Sequence, residues 1–263
     1  MTQPKIALIT GAAKRTGRVI AEYFAQQGYH IAVHYHESLV EAQEVVDNIK
    51  KISGQAILVN ADLNHPYAYD KLITSVYDTW QKLDVLINCA AIFTQDHFHN
   101  FSLETLETSW QINCKMPLLL TRAFYERARA NNQQGVVINI VDQKVQNNFQ
   151  RDHFSYTVSK TALGHLTKML AISTKPILRV NAIYPGLLLP SDDQTPQDFE
   201  YARRHATPLG YTATPLDIAK AAYHLTLPTY NGVDLIVDAG QNLIPVEQDV
   251  IYTHRAQQIY SRH

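Results

Sequence analysis

Short runs dense in Val, Ile and Leu recur along the chain as IALIT, HIAVHY, AILVNA, DVLINC, GVVINIV, RVNAIYP and VDLIVDA, and this alternation constrains the fold more than any other feature. Longer stretches of helical period, 18–27, 41–51, 68–81, 103–130 and 156–171, separate the runs. Strands buried on both faces need continuous apolar runs, and parallel neighbours need connections long enough to hold a helix. The pattern therefore predicts an α/β fold: a doubly wound, mostly parallel sheet of about seven strands covered by helices on both faces. In 263 residues there is no repeat, low-complexity tract or Gly/Ser-rich linker, so a single domain is expected. Its body spans 1–244, and 245–263 form a C-terminal extension that could pack on a neighbouring subunit or stay loose. Only 185–215, with five prolines and weak periodicity, breaks the rhythm and reads as a lid or binding loop.

Composition narrows the partner. Hydrophobic residues make up 46%, charged residues 18%, and the formal net charge is −1, so no basic footprint points to nucleic acid or an anionic membrane. A small molecule is expected instead. Cys89 and Cys114 lie inside apolar periodic segments and read as small core residues of a reducing compartment. The N-terminus has no basic stretch followed by a signal-sized apolar run, and no run approaches the roughly 20 residues of a membrane span. The expected location is the cytoplasm.

The stretch ALITGAAKRTGRVIAEYFAQQG runs from a strand through a turn opened by Gly11 to a helix beginning near Gly17. Where strands deliver their C-terminal ends to helix N-termini, free N–H groups and the helix dipole attract phosphate, so the first βα unit is the expected pyrophosphate site. An ordinary βα turn is the alternative. Further on, Tyr156 precedes Lys160 by four residues, which on a helix places ammonium above phenol and would favour the ionised phenol.

Together these motifs resemble the short-chain dehydrogenase/reductase family. The turn is similar to its TGxxxGxG, with Arg15 at the usual middle glycine; INCAAIF is similar to its NNAG, with Asn88 kept, Cys89 replacing the second asparagine and Ala91 the glycine. Asn113, the YTVSK pair and RVNAIYPG complete the match. The resemblance implies a Rossmann-like domain that binds a nicotinamide cofactor through Gly11, Lys14, Arg15, Thr16 and Gly17, with Asp62 and the backbone of Leu63 against adenine. An isolated Asp62 could equally cap a helix. Asn88 and Ala90, and Pro185, Gly186 and Leu187 around the nicotinamide amide, complete the implied set. Asn113 would hold a water linking lysine to solvent. A 2′-phosphate needs cations or hydroxyls near the end of the second strand; Lys14, His36 and Ser38 meet that need and Glu37 opposes it, so NADPH is the expected cofactor.

Where most members carry serine, Asp142 stands fourteen residues before Tyr156. An ionised carboxylate cannot donate to a carbonyl, so this position suits a substrate with N–H groups, or a protonated acid sharing its proton with the phenol. Asp142, the arginine in the turn, HYHxS after the second strand and Phe93 resemble the pteridine reductase and dihydromonapterin reductase subgroup over about residues 5–243. That resemblance implies NADPH-dependent reduction of a dihydropterin or dihydrofolate. Phe93 would stack on the pterin, Arg15 would lie near substrate and phosphates, and Asp142 and Tyr156 would deliver the proton. Lys160 would bond the nicotinamide ribose and lower the tyrosine pKa, and subunits would assemble as a homotetramer. Two alternatives stay open: a carbonyl or 3-oxoacyl reductase, and a non-catalytic nucleotide-binding regulator, against which the Asn113, Tyr156 and Lys160 set argues. His97 and His99 read as a surface loop and Asp192 and Asp193 as a solvated turn, so no metal site is expected. Tyr67, Tyr69, Tyr77 and Trp80 read as helix packing.

Overall fold

A computed structural model describes residues 4–52, 54–191 and 194–250. The seven apolar runs form seven strands: β1 (Ile6–Ile9), β2 (His30–Tyr35), β3 (Ala56–Asn60), β4 (Val85–Asn88), β5 (Gly135–Ile140), β6 (Leu178–Pro185) and β7 (Asp234–Val237). They make one sheet in the order β3-β2-β1-β4-β5-β6-β7, and every neighbouring pair is parallel. Between β1 and β4 the winding reverses, and there the loops at the strands' C-terminal ends separate to open a crevice.

Successive strand residues face opposite sides, so β1 feeds two cores. Ala7 and Ile9 join Ile20, Phe24, Val45 and Ile218 on the side of α1 (Arg15–Gln26), α2 (Leu39–Lys51) and α8 (Pro215–His224). Ile6 and Leu8 join Leu72, Val76, Leu120 and Phe124 under α3 (Ala68–Trp80) and α5 (Met116–Ala130). In the expected aromatic cluster of α3, Tyr77 is buried and Tyr69 and Trp80 pack on the second core, whereas Tyr67 is exposed. Neither cysteine forms a disulfide; Cys114 is buried and Cys89 packs at the rim of the first core.

Three segments depart from the expected pattern. The single helix over 103–130 is α4 (Leu103–Trp110), a π-helical turn Gln111–Lys115 and α5. Pro117 has no N–H to give the carbonyl of Asn113 four residues back, and the Met116 N–H bonds Gln111 five back instead. Within the irregular stretch 185–215 lies α7 (Pro196–His205), opened by a capping box between Thr195 and Asp198 with Pro196 in its first turn. The described part of the extension, 245–250, is tied to its own chain: Val246, Glu247 and Asp249 hydrogen-bond residues of the 148–152 loop. Residues 192 and 193 lie outside the described residues, as does 251–263. Among the described residues no helix is long and apolar enough to cross a membrane.

Candidate active site

A cleft of about 290 Å³ opens at the C-terminal ends of the central strands. Helix α6 (Phe154–Ser173) brings Tyr156 and Lys160 to its floor, with both side chains buried. The helix is anchored at its buried start by Asp96, whose carboxylate accepts from the Ser155 N–H at 3.1 Å and from the Ser155 hydroxyl. Such a carboxylate at a helix N-terminus satisfies free N–H groups and complements the dipole. Asp142, just beyond β5, accepts from the Tyr156 hydroxyl at 2.8 Å through Oδ2 and from the Lys144 N–H at 2.8 Å through Oδ1. The aspartate and the phenol, fourteen residues apart in sequence, are therefore one hydrogen-bonded unit.

Lys160 donates from Nζ to the Ile140 carbonyl at 2.7 Å, and Nζ lies 5.8 Å from the centre of the Tyr156 ring. Burial pulls its pKa down to about 8, partly opposed by Asp142. The expected lowering of the tyrosine pKa is reversed: burial first, then the charge and hydrogen bond of Asp142, push Tyr156 well above the ordinary phenol value. Spacing alone could not show this, because the decisive neighbour is the aspartate from another element.

Phe93 is not a core residue; it is 45% exposed at the cleft and meets the Tyr156 ring edge-on at 4.7 Å. His153 stacks against it with ring centres 3.8 Å apart, and Lys144 Nζ stands 5.0 Å from its centre. His153 is held by its Nδ1 against the Thr94 carbonyl at 2.9 Å, and burial followed by the charge of Lys144 lowers its pKa. Asn113, in the π-helical turn, grips the β4 loop by accepting from the Ile92 N–H at 2.9 Å and donating to the Ile92 carbonyl at 3.0 Å. Its amide also donates to Ser159 Oγ at 3.1 Å.

At the glycine turn, Gly11 has φ +66° and a Cβ on Gly17 would sit 2.1 Å from the Gly11 carbonyl oxygen, so α1 starts hard against the end of β1. No side chain caps α1 and its first turn has no acid, whereas α7 and α8 each carry an Asp capping box. Its free N–H groups and this close backbone approach fit a pyrophosphate. Arg15 has φ +50°, the conformation that favours glycine and explains the family's usual residue there; its Nη2 donates to the Pro190 carbonyl at 2.9 Å, across the cleft. Arg15 and Thr16 line the cleft, together with Pro185, Gly186 and Leu187 of the opposite wall.

The remaining expected residues stand around this centre rather than in its wall. Asn88 is buried, donates to Asn139 Oδ1 at 2.8 Å, and keeps its own Oδ1 without a partner among the described residues. The N–H of Ala90 donates to Thr10 Oγ1 at 3.0 Å, tying β4 to β1. Asp62 caps a turn by accepting from the Asn64 N–H at 2.8 Å, and Leu63 is buried behind it. Beyond β2, His36 is exposed, Ser38 precedes α2 without making a side-chain cap, and Lys14 is paired with Glu41 at 2.8 Å. That pairing lowers the Glu41 pKa.

Two residues position this site in a way that their place in the sequence does not announce: His34, the first residue of HYHxS, and Gln241. His34 is buried beneath the glycine turn, accepting from the Gly11 N–H at 2.9 Å through Nδ1 and placing Nε2 3.1 Å from the Ala61 carbonyl. Burial drives its pKa to about 4, which keeps Nδ1 an acceptor. Gln241 Oε1 accepts from the Leu187 N–H at 2.8 Å, and a Cβ on Gly186 would come within 2.7 Å of that oxygen. His97 and His99 stack on each other outside the cleft, and His97 Nδ1 lies 3.3 Å from Asp152.

A family model described as enoyl-(acyl carrier protein) reductase matches residues 11–242. An uncharacterized oxidoreductase of Mycobacterium tuberculosis is 31% identical over 90% of this chain and 91% of its own. Glucose 1-dehydrogenase 2 of Bacillus subtilis is 28% identical over 92% of this chain and 96% of its own. Among solved structures, FolM alternative dihydrofolate reductase 1 from Brucella canis, complexed with NADP, superposes with a TM-score of 0.87 at 31% identity, covering 93% of this chain and 96% of that one. The glycine turn, the Asn113, Tyr156 and Lys160 set and the matches over most of the sequence agree: the chain belongs to the short-chain dehydrogenase/reductase family of oxidoreductases.

Proposed function

We propose that the protein reduces a dihydropterin, such as dihydromonapterin, dihydrobiopterin or dihydrofolate, to its tetrahydro form with NADPH. The observation that carries this reading is the 2.8 Å hydrogen bond from Tyr156 to Asp142 beside a half-exposed Phe93. A carboxylate at this position accepts from N–H groups and repels a carbonyl oxygen, which suits a pterin's amino and ring N–H edge. The flat ring has Phe93 as its apolar partner.

NADPH fits the residues present. The uncapped start of α1 would take the pyrophosphate, and Lys14 of the glycine turn with His36 and Ser38 beyond β2 would meet a 2′-phosphate, which would draw Lys14 from Glu41. When bound, the nicotinamide supplies the hydride that adds to the C=N carbon. Tyr156 keeps its proton because of burial and Asp142, so the pair holds an acid in place for the adjacent nitrogen until the hydride raises that nitrogen's basicity. Lys160, fixed by the Ile140 carbonyl, stands beneath the phenol as the cation for the nicotinamide ribose. The likeness to the Brucella protein, crystallised with NADP, supports both halves of the reading.

The test is stopped-flow measurement of the hydride step on dihydropterins, with a ketone panel alongside. Tyr156→Phe and Asp142→Ala should each slow that step by about 10²–10⁴ while NADPH dissociation constants stay within a few fold. Full activity in either variant, or turnover of ketones alone, overturns the assignment.

A further inference from the structure

Phe93 stands on the loop after β4, and a half-exposed aromatic in such a place has no core around it to fix its plane. His153 supplies that constraint. Its ring lies 3.8 Å from the Phe93 ring, centre to centre, with 20° between the planes. Phe93 lines the cleft and His153 does not, so the histidine covers one face of the phenyl ring from behind and leaves the other to the cleft.

The histidine is itself held from three sides. It is buried, and its Nδ1 lies 2.9 Å from the Thr94 carbonyl, which only accepts; Nδ1 therefore carries the proton and donates to the residue next to Phe93. Its backbone has φ +56° and ψ +48°, a left-handed conformation that Asn, Asp and His tolerate better than other side chains. As the residue before α6 it accepts at its carbonyl from the Thr157 N–H at 2.9 Å and the Thr157 hydroxyl at 2.8 Å. Tyr156 follows three residues on, its ring at 90° to that of Phe93. A flat ring lying parallel to Phe93 is then perpendicular to the phenol ring too, so the tilt that His153 gives Phe93 becomes the tilt of that ring against Tyr156.

We propose that His153 is a positioning residue: by backing Phe93 it sets the plane in which the substrate ring lies relative to the Tyr156 hydroxyl, an inference that rests on the pterin reading. The lone pair of an imine-type ring nitrogen lies in the plane of its ring, so this angle governs how well the phenol proton meets it. His153 acts through Phe93 alone.

Two variants separate the ring from the backbone. His153→Asn keeps a residue that accepts positive φ and an amide able to donate to Thr94, but removes the stack; His153→Phe keeps a ring and removes the donor. In steady-state kinetics with saturating NADPH, the KM for 7,8-dihydrobiopterin and for dihydrofolate should rise about three- to tenfold in His153→Asn, the worth of one aromatic pair, and stay within about twofold in His153→Phe. The NADPH dissociation constant from fluorescence titration should hold within about twofold in both variants. A merely structural defect at the start of α6 would move it, because Lys160 lies on the same helix. In a Phe93→Leu background His153→Asn should change KM no further, and this cycle decides the question should His153→Phe fail to fold. A wild-type KM in His153→Asn, an equal rise in folded His153→Phe, the same rise without Phe93, or a matching loss of NADPH affinity overturns the positioning role alone. Wild-type protein that turns over neither substrate overturns the pterin reading and the positioning role with it.

Discussion

Lys160 shows how far one residue can be read from sequence. Its spacing from Tyr156 announces the pair, but the direction of each pKa depends on what surrounds them. Burial holds the lysine near 8, against 10.5 for the free side chain, while burial and Asp142 hold the phenol high. The lysine is thus a strained cation in the absence of cofactor. Below about pH 8 both folded and unfolded states carry its proton and the full penalty applies; between about 8 and 10.5 the folded lysine has released a proton that the unfolded chain retains, so stability rises with pH. The gap corresponds to roughly 3 kcal/mol at most. Urea unfolding of the cofactor-free protein should find Lys160→Met more stable than wild type at pH 7, by about 1–3 kcal/mol, with the advantage shrinking between pH 8 and 10.5. An advantage independent of pH would mean that burial of the charge is not its source. Asp142 and Phe93 were legible as residue types at strand ends; His34, His153 and Asp96 were not, since a buried histidine or aspartate matters only through partners that come from distant segments.

At the scale of elements, the seven strands and the helices between them follow from apolar runs and helical period, because parallel strands buried on both faces leave little else that those runs can do. The departures have local chemical causes that were also written in the chain. Pro117 shifts the ladder into the π-helical turn that presents Asn113, and the Thr195, Pro196 and Asp198 cap opens α7 in a stretch whose prolines suggested only loop. The β1 to α1 turn carries the tightest constraint. A methyl group on Gly17 would stand 2.1 Å from the Gly11 carbonyl oxygen, so Gly17→Ala forces the helix start away from the strand. The substitution should cost about 1–3 kcal/mol in thermal or urea unfolding, and weaken NADPH in a fluorescence titration by tenfold or more. Gly28→Ala is the control: its Cβ would meet nothing within 4 Å, so its cost is the positive φ alone and cofactor affinity should hold. Equal cofactor loss in both variants would show that general destabilisation, not the phosphate turn, is responsible.

Across the whole molecule, the cleft is closed by pieces far apart in sequence. Arg15 reaches from the first helix to the Pro190 carbonyl, and α7 packs Ala202 and Ala206 against Val250 of the C-terminal segment. Nothing periodic marks this closure: backbone hydrogen bonds, the Lys144–Asp249 ion pair and the apolar Val250 side chain help hold 246–250, and none of these leaves a signature in a sequence. Val250 is 8% exposed, so its docking ties both the segment and α7 to the cleft at once. Val250→Asp puts a carboxylate against those alanines, where desolvation without a partner costs several kcal/mol, more than so small a contact returns. The segment should therefore lift while the sheet and the glycine turn stay folded. Hydrogen exchange should show lost protection at the amides of Val246 and Asp249, which now bond Asn148 and Asp152. The dihydropterin KM should rise about tenfold and the NADPH dissociation constant should change by less than about threefold, because the phosphate turn lies on the other wall. Unchanged protection at both amides would show that the segment is held by something other than this contact, and the closure of the cleft would then have to be sought in the Arg15 bridge.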